Sequence, residues 1–259
     1  MGFDRGLAVT FEDAGLQFVY GPGVFGCEAE HRRLDAIRGS LRDPECEGPD
    51  PVYSIAMDVG RAADRAELER RMLLFGVVVY PAGRLGREPV RSQGHVHAVA
   101  PHCGWSTPEV FEIWEGRAIV YAQERMEDNP GCCVAVEAGV GELVVVPPGW
   151  GHCVMNVDPE ARMVFGALCD RQYGFEYSGV RARGGMAWFP VFGEEGALRW
   201  ERNGRYGAAS VEVRGARAYP ELGLGGDGSL YERFVRDAGT VQWVSEPGLM
   251  SGIWSGFRP

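Results

Sequence analysis

The middle of the chain constrains its fold most. Short apolar runs recur there, and clusters of Gly, Pro or Asp separate them at close spacing. No helix-length segment lies between successive runs, which disfavours a parallel α/β fold. The pattern predicts an antiparallel sandwich or barrel. The runs are Val77–Tyr80, Val110–Trp114, Ala118–Ala122, Cys133–Val136, Leu143–Val146 and Met163–Leu168.

The segments on either side of these runs carry other signals. Leu34, Ile37 and Leu41 recur at helical spacing and predict a helix over residues 29–42. Residues 195–215 have the pattern of a β-hairpin. We therefore expect one barrel domain over residues 1–215, with N-terminal strands and short helices packed outside it. Residues 216–259 are expected to form a C-terminal extension, for which the sequence indicates no clear structure.

The basic side chains of this protein are all arginines. The sequence has 26 of them and no lysine, against 36 acidic residues, which gives a formal net charge of −10. The absence of lysine excludes a Schiff-base lysine and a P-loop lysine. The net acidity argues against nucleic acid as a partner. An anionic substrate must then be held by arginine, by backbone N–H groups or by a metal ion.

The cysteines and the hydropathy pattern bear on cellular location. Seven cysteines form an odd set without a CxxC pair, which is more typical of reduced thiols than of a disulfide framework. The N-terminus lacks the layout of a signal peptide. No apolar run approaches the roughly 20 residues that cross a bilayer. We expect a cytoplasmic protein with no membrane partner.

Three of the five histidines stand in motifs that suit metal binding. His95 and His97 are two residues apart, so on a strand both side chains would point to the same face. Glu109 and His152 follow further along the chain. Imidazole nitrogens with one carboxylate suit Fe, Mn, Ni, Co or Zn, and four ligands leave a position open for substrate. The alternative is three unrelated histidines that cap or pack.

The segment around His152 resembles the second motif of the cupin superfamily. The defined positions of that motif are all matched here, by Gly141, Pro147, Gly149, His152 and Asn156. The first motif is looser, because 11 residues separate His97 from Glu109 where cupins usually have three or four. The resemblance implies an all-β fold, the double-stranded antiparallel β-helix or jelly-roll barrel.

The stretch from Val79 to His97 resembles one particular family within the cupin superfamily. Its Tyr-Pro pair, its Gly-Arg-Glu and its closing Gly-His-x-His are similar to the signature of cupin-type glucose-6-phosphate isomerases, a metal-dependent class. The resemblance spans roughly residues 18–180. It implies interconversion of glucose 6-phosphate and fructose 6-phosphate, as in glycolysis and gluconeogenesis. It also implies one divalent transition metal, such as iron, and a homodimer.

The family's functional residues map onto named positions of this chain. The resemblance makes His95, His97, Glu109 and His152 the metal ligands, Glu109 also the nearest base, and Tyr177 a group that shuttles or orients a proton. The other reading of Tyr177 is a tyrosine at the edge of the core that hydrogen bonds to the backbone. The candidates for substrate binding are Ser92, Gly94, Arg91, Thr107, Phe111 and Tyr173.

Several positions depart from the family pattern. Phe111, Phe175, Val77 and Cys169 stand where the family offers a hydroxyl or a ring nitrogen. Other functions therefore stay open at this point. They are a cupin isomerase of a different sugar or specialised metabolite, a dioxygenase with three His and one Glu on the metal, and a binding module without turnover.

Overall fold

The computed structural model describes residues 5–12, 16–194 and 196–259. The described residues form short strands, four α-helices and several 3-10 helices, and none of these helices is long and apolar enough to cross a bilayer. The strands are β1 Val9–Glu12, β2 Gln17–Tyr20, β3 Val24–Phe25, β4 Glu30–Arg32, β5 Tyr53–Met57, β6 Gly60–Arg61, β7 Leu73–Tyr80, β8 Arg84–Leu85, β9 Glu88–Arg91, β10 Val96–His97, β11 Val99–Ala100, β12 Trp105–Ser106, β13 Glu109–Glu115, β14 Ala118–Gln123, β15 Cys133–Ala138, β16 Leu143–Val146, β17 Gly151–Asn156, β18 Met163–Asp170, β19 Phe175–Glu176, β20 Trp188–Phe192, β21 Leu198–Arg202 and β22 Val211–Gly215. The α-helices are α1 Arg65–Arg70, α2 Ser178–Ala182, α3 Leu230–Arg236 and α4 Ser251–Trp254, and the 3-10 helices are Leu34–Ala36, Arg38–Ser40, Ala62–Asp64, Pro220–Leu222, Ala238–Val244 and Pro247–Met250.

Two six-stranded sheets carry the fold. Sheet I has the strand order β16-β13-β18-β7-β5-β4, and every neighbouring pair in it is antiparallel. Sheet II has the order β22-β15-β14-β17-β9-β8, in which β22 alone runs parallel to its neighbour. Apolar side chains from both sheets form one buried cluster. The all-β double-sheet barrel expected of a cupin is confirmed.

Strand β7 shows how alternation along a strand divides the core. Val78 and Tyr80 belong to the cluster between the sheets, whereas Phe75, Val77 and Val79 belong to a second cluster on the outer face of sheet I. Successive side chains of a strand point to opposite faces. Because both faces of this strand are covered, all eight of its residues are buried. This explains why the segment is apolar at consecutive positions.

The C-terminal segment, residues 216–259, covers the outer face of sheet I. Tyr231, Phe234 and Trp243 are buried in the same cluster as Phe75. The rings of Phe75 and Tyr231 lie 4.7 Å apart between centroids. Burial of one large apolar side chain contributes about 1.5–3 kcal/mol to stability. The segment therefore shares a core with the barrel.

Two expectations for the flanking segments are wrong. Residues 29–42 form strand β4 and two 3-10 helices instead of one α-helix. Leu34, Ile37 and Leu41 are nonetheless buried, because the successive tight turns bring them to one side as a helix would. The hairpin predicted over residues 195–215 is not present in the described part, residues 196–215, since β21 pairs with β20 and β22 pairs with β15. Turn spacing does not identify which strand a segment will pair with.

Candidate metal centre

His95, His97, Glu109 and His152 converge inside the barrel, and we call them the ligand cluster. Each offers one ligand atom, and these atoms all lie within 4.8 Å of one another. Glu109 begins β13 in sheet I, whereas His152 lies on β17 in sheet II. The backbones of His95 and His152 exchange two hydrogen bonds, of 3.1 and 2.9 Å. The cluster thus joins the two sheets.

The insert between His97 and Glu109 folds back on itself. Strands β11 and β12 pair as a small antiparallel hairpin, so the chain returns to where it left the barrel. The Ser106 hydroxyl donates a 2.7 Å hydrogen bond to the carbonyl of His97. For this reason the 11-residue insert does not separate Glu109 from His97 in space.

Backbone carbonyls set the orientation of two imidazoles. Nδ1 of His97 lies 2.9 Å from the carbonyl oxygen of Thr107, and Nδ1 of His152 lies 3.2 Å from that of Trp150. A carbonyl oxygen only accepts, so each Nδ1 is the donor. In the neutral ring Nε2 then carries a lone pair, which faces the cluster.

The Nε2 atoms face each other and a carboxylate. Oε2 of Glu109 lies 3.1 Å from Nε2 of His152 and 3.2 Å from Nε2 of His97. Nε2 of His95 and Nε2 of His97 are buried without a hydrogen-bond partner among the described residues. Buried polar atoms of this kind need a partner. A divalent cation satisfies all of them at once, so the donor set fits a transition metal.

Two members of the ligand cluster have shifted pKa values. Burial raises the pKa of Glu109, but the contacts from His152 and His97 outweigh it and hold that pKa well below its usual range. Burial, together with the neighbouring imidazoles of His152 and His97, lowers the pKa of His95. An ionised carboxylate and a neutral imidazole are the forms that bind a metal ion.

The ligand cluster opens on a cavity of about 350 Å³. Three parts of the chain form its wall: the N-terminal strands β4 and β5, the barrel strands, and the segment after β18. Of the residues predicted to act on substrate, the cavity brings together Ser92, Gly94, Glu109, Phe111, Tyr173 and Tyr177. The ring of Tyr177 lies 6.0 Å from that of His95, and the ring of Phe111 lies 5.8 Å from that of His152, between centroids.

Gly94 holds a conformation that few other residues adopt. Its φ is +90°, and a Cβ atom at this position would meet Sδ of Met186 at 2.8 Å. The glycine places its backbone against the cavity immediately before His95. Beside it, Oγ of Ser92 accepts a 3.2 Å hydrogen bond from the backbone N–H of Val154.

Two of the predicted substrate contacts do not line the cavity. Arg91 is 2% exposed, and its guanidinium donates to Glu88 at 2.8 Å and to the carbonyl of Ser40 at 2.7 Å. Thr107 is buried and supplies the carbonyl that orients His97. Arg91 therefore holds the barrel wall together, and the Thr107 carbonyl orients the ring of His97.

Of the four positions that depart from the family pattern, two line the cavity and two do not. Phe111 and Phe175 line the cavity, and the ring of Phe175 lies 4.3 Å from that of His95 between centroids. Val77 belongs to the outer cluster of sheet I, whereas its neighbour Val78 faces the cavity. Cys169 is buried outside the lining. The cavity wall is consequently apolar at each of the two phenylalanines.

Sequence reasoning missed two charged residues of the cavity, Glu30 and Arg32. Arg32 lines the wall from β4, next to Tyr53 on β5. The expected helix over residues 29–42 hid it, because only a strand makes Arg32 and Arg33 point to opposite sides. The pair of arginines before Leu34 was the available signal.

Comparison with known proteins decides the family. The family model described as glucose-6-phosphate isomerase (GPI) matches residues 35–208, about two thirds of the chain. This protein belongs to that family. The match includes all four members of the ligand cluster and ends before the C-terminal segment.

Archaeal members of the isomerase family are among the similar proteins. The glucose-6-phosphate isomerase of Thermococcus kodakarensis is 28% identical over 177 residues, which cover 66% of this chain and 85% of that protein. The one from Pyrococcus furiosus is 26% identical over 180 residues, which cover 67% and 87%. Among solved structures, Bacillus subtilis oxalate decarboxylase aligns at 17% identity with a TM-score of 0.35, over 51% of this chain and 28% of that chain.

Proposed function

We propose that this protein is a metal-dependent aldose–ketose isomerase that interconverts glucose 6-phosphate and fructose 6-phosphate. The observation that carries the proposal is the ligand cluster at the wall of a cavity of about 350 Å³. That volume lies in the range of small-molecule sites. Membership of the isomerase family supports the reaction type.

His95, His97, Glu109 and His152 would hold one divalent ion of Fe, Mn, Ni, Co or Zn. When bound, such an ion supplies a Lewis acid that polarises the sugar carbonyl and favours charge development on its oxygen. The chain supplies the rest. The Gly-His-x-His segment carries His95 and His97, and the turn before His152 carries the third imidazole. The backbone holds these side chains in position, so the ligands need little rearrangement.

We assign proton transfer to two side chains. Glu109 lines the cavity and is the nearest base, so we assign to it the transfer of a proton from one sugar carbon to the neighbouring carbon. Burial raises the pKa of Tyr177, so its hydroxyl stays protonated at neutral pH and donates a hydrogen bond to a sugar oxygen. Ser92, Gly94, Phe111 and Tyr173 would contact substrate from the surrounding wall.

The experiment starts with metal content. Purified protein is stripped, reloaded with each of the five metals in turn, and assayed with several aldose phosphates in a coupled assay, with oxygen uptake as a control. Turnover of glucose 6-phosphate by one loaded form is expected. Oxygen consumption without phosphosugar turnover would contradict the proposal and favour a dioxygenase.

A second substrate class has an observation in its favour. Phe111 and Phe175 make part of the wall apolar, which suits a sugar with fewer hydroxyls or another small metabolite. Turnover of such a compound in preference to glucose 6-phosphate would keep the isomerase chemistry and change the substrate.

Location and assembly complete the proposal. All seven cysteines are free thiols, as expected of a protein in the reducing cytoplasm. Strands β1 and β2 pair only with each other among the described residues, which leaves edges for a second copy in a homodimer. Light scattering during size-exclusion chromatography measures the mass in solution and tests the dimer.

A further inference from the structure

One cationic side chain lines the cavity. Of the 20 residues that form the described lining, Arg32 is the lone arginine, and the sequence has no lysine. Its side chain is 26% exposed, so most of it is covered by protein. It lies on β4, the edge strand of sheet I, directly opposite Tyr53 of β5.

The surroundings of Arg32 differ from those of the nearby arginines. The next residue, Arg33, points away from the cavity, is 62% exposed and pairs with Asp50 at 2.9 Å. Arg91 is buried against Glu88. Neither of these two can meet a molecule in the cavity.

The partners of Arg32 are one hydroxyl and one exposed carboxylate. The Tyr53 hydroxyl lies against its guanidinium, where burial raises the pKa of that phenol to about 12 and the arginine opposes part of the rise. Nη2 of Arg32 donates to Oε1 of Glu30 at 2.9 Å. The Glu30 side chain is 66% exposed, and a solvent-exposed ion pair is weak.

We propose that Arg32 binds the phosphate group of the substrate, with the Tyr53 hydroxyl as a second donor, and that the phosphate displaces Glu30 from the guanidinium. A guanidinium offers two parallel donors that match the oxygens of a phosphate, and such charge-assisted bonds are the strong ones. The dianion outcompetes a single exposed carboxylate for the same fork. Arg32 thus sets the preference for a phosphorylated sugar over a neutral one.

This inference rests on the proposed function for its substrate, but it has its own measurement. The probe is inorganic phosphate, whose binding to the metal-loaded protein is measured by calorimetry and whose inhibition of phosphosugar turnover is measured by kinetics. The variants are Arg32→Gln, Arg32→Lys and Glu30→Gln, with Arg33→Gln as the matched control. Metal content and Tm are recorded for each variant.

We expect weaker phosphate binding when Arg32 is replaced and tighter phosphate binding when Glu30 is replaced. Arg32→Gln weakens phosphate binding and raises KM for the phosphosugar, each by roughly 10- to 100-fold, with kcat and metal content little changed. Arg32→Lys lies between this variant and the wild type, because an ammonium lacks the fork. Glu30→Gln tightens phosphate binding by roughly 2- to 5-fold, since the competing charge is gone. Arg33→Gln behaves as the wild type.

The outcomes separate the two proposals. If phosphate binding depends on Arg32 but the protein turns over no phosphosugar, Arg32 is supported as the phosphate-binding residue and the proposed isomerase activity is contradicted. If a folded Arg32→Gln variant turns over phosphosugar and binds phosphate as the wild type does, the role of Arg32 in phosphate binding is contradicted and the isomerase proposal stands. If Arg32→Gln does not fold, unchanged phosphate binding in both Arg32→Lys and Glu30→Gln contradicts the role of Arg32 in phosphate binding instead.

Discussion

Oε1 of Glu112 accepts a 2.7 Å hydrogen bond from the backbone N–H of Leu230, which lies 118 residues later in the chain. Its other oxygen accepts a 2.9 Å bond from the indole N–H of Trp114. Glu112 is 1% exposed and belongs to β13 of sheet I, whereas Leu230 begins α3 in the C-terminal segment. A single carboxylate therefore connects the barrel to the segment that covers it.

Glu112→Gln should change how stability depends on pH. Burial raises the pKa of Glu112 to about 7, although the bonds from Trp114 and Leu230 oppose the rise. Between pH 4.5 and 7 the folded protein keeps a proton that the unfolded chain releases, so the free energy of unfolding falls as pH rises, by up to roughly 3 kcal/mol. In Glu112→Gln this fall is absent. Urea denaturation at pH 5 and pH 8 measures it, with the exposed Glu137→Gln as control; equal pH dependence in wild type and Glu112→Gln would contradict the prediction.

The strands of the barrel were predictable because their apolar runs are local. Val110–Trp114 and Ala118–Ala122 lie inside β13 and β14, although these two strands belong to different sheets. The parallel pairing of β22 with β15 was not predictable, since no local pattern selects a partner that far along the chain. The packing of α3 was not predictable either, because its burial depends on contacts with sheet I.

The candidate site divides in a similar way. The ligand cluster followed from motif spacing, because His95 and His97 share a strand face and the second motif supplies His152. Arg91 does not line the cavity, in keeping with alternation: it directly precedes Ser92, which does line it, so the two side chains point to opposite sides. The position of Arg32 in the cavity could not be predicted, because it requires the edge strand β4, whereas the spacing of Leu34 and Ile37 indicated a helix.

His152→Ala should abolish metal binding. The variant removes the Nε2 atom that lies 3.1 Å from Oε2 of Glu109 and leaves an incomplete donor set. His31→Ala is the matched control, since His31 is exposed and contacts Ser54 away from the cluster. Elemental analysis after metal loading should give the wild-type metal content for the control and a near-empty His152→Ala. Full occupancy in His152→Ala would show that this histidine is not a ligand.

Arg91→Met should destabilise the fold by about 3–5 kcal/mol. The change leaves the carboxylate of Glu88 buried without its 2.8 Å ion pair, and it also frees the carbonyl of Ser40. Arg87→Met is the control, because Arg87 is 61% exposed and pairs with Glu201 only at 3.7 Å. Chemical denaturation gives both values. Recovery of part of the loss in Arg91→Met with Glu88→Gln is expected, and a loss below 1 kcal/mol in Arg91→Met alone would argue that the pair is not structural.

Tyr177→Phe tests whether the cavity hydroxyl takes part in proton transfer. The variant keeps the ring, which packs 6.1 Å from Phe175 between centroids, and removes only the oxygen. A positioned proton donor contributes roughly 10²- to 10⁴-fold to rate, so kcat should fall by a factor in that range while KM and metal content stay close to wild type. Tyr173→Phe is the matched control, since it removes a hydroxyl from the same cavity, and we expect it to change KM more than kcat. Steady-state kinetics on metal-loaded protein measures both. An unchanged kcat in Tyr177→Phe would leave Tyr177 as a tyrosine of the cavity wall and leave Glu109 to move the proton alone.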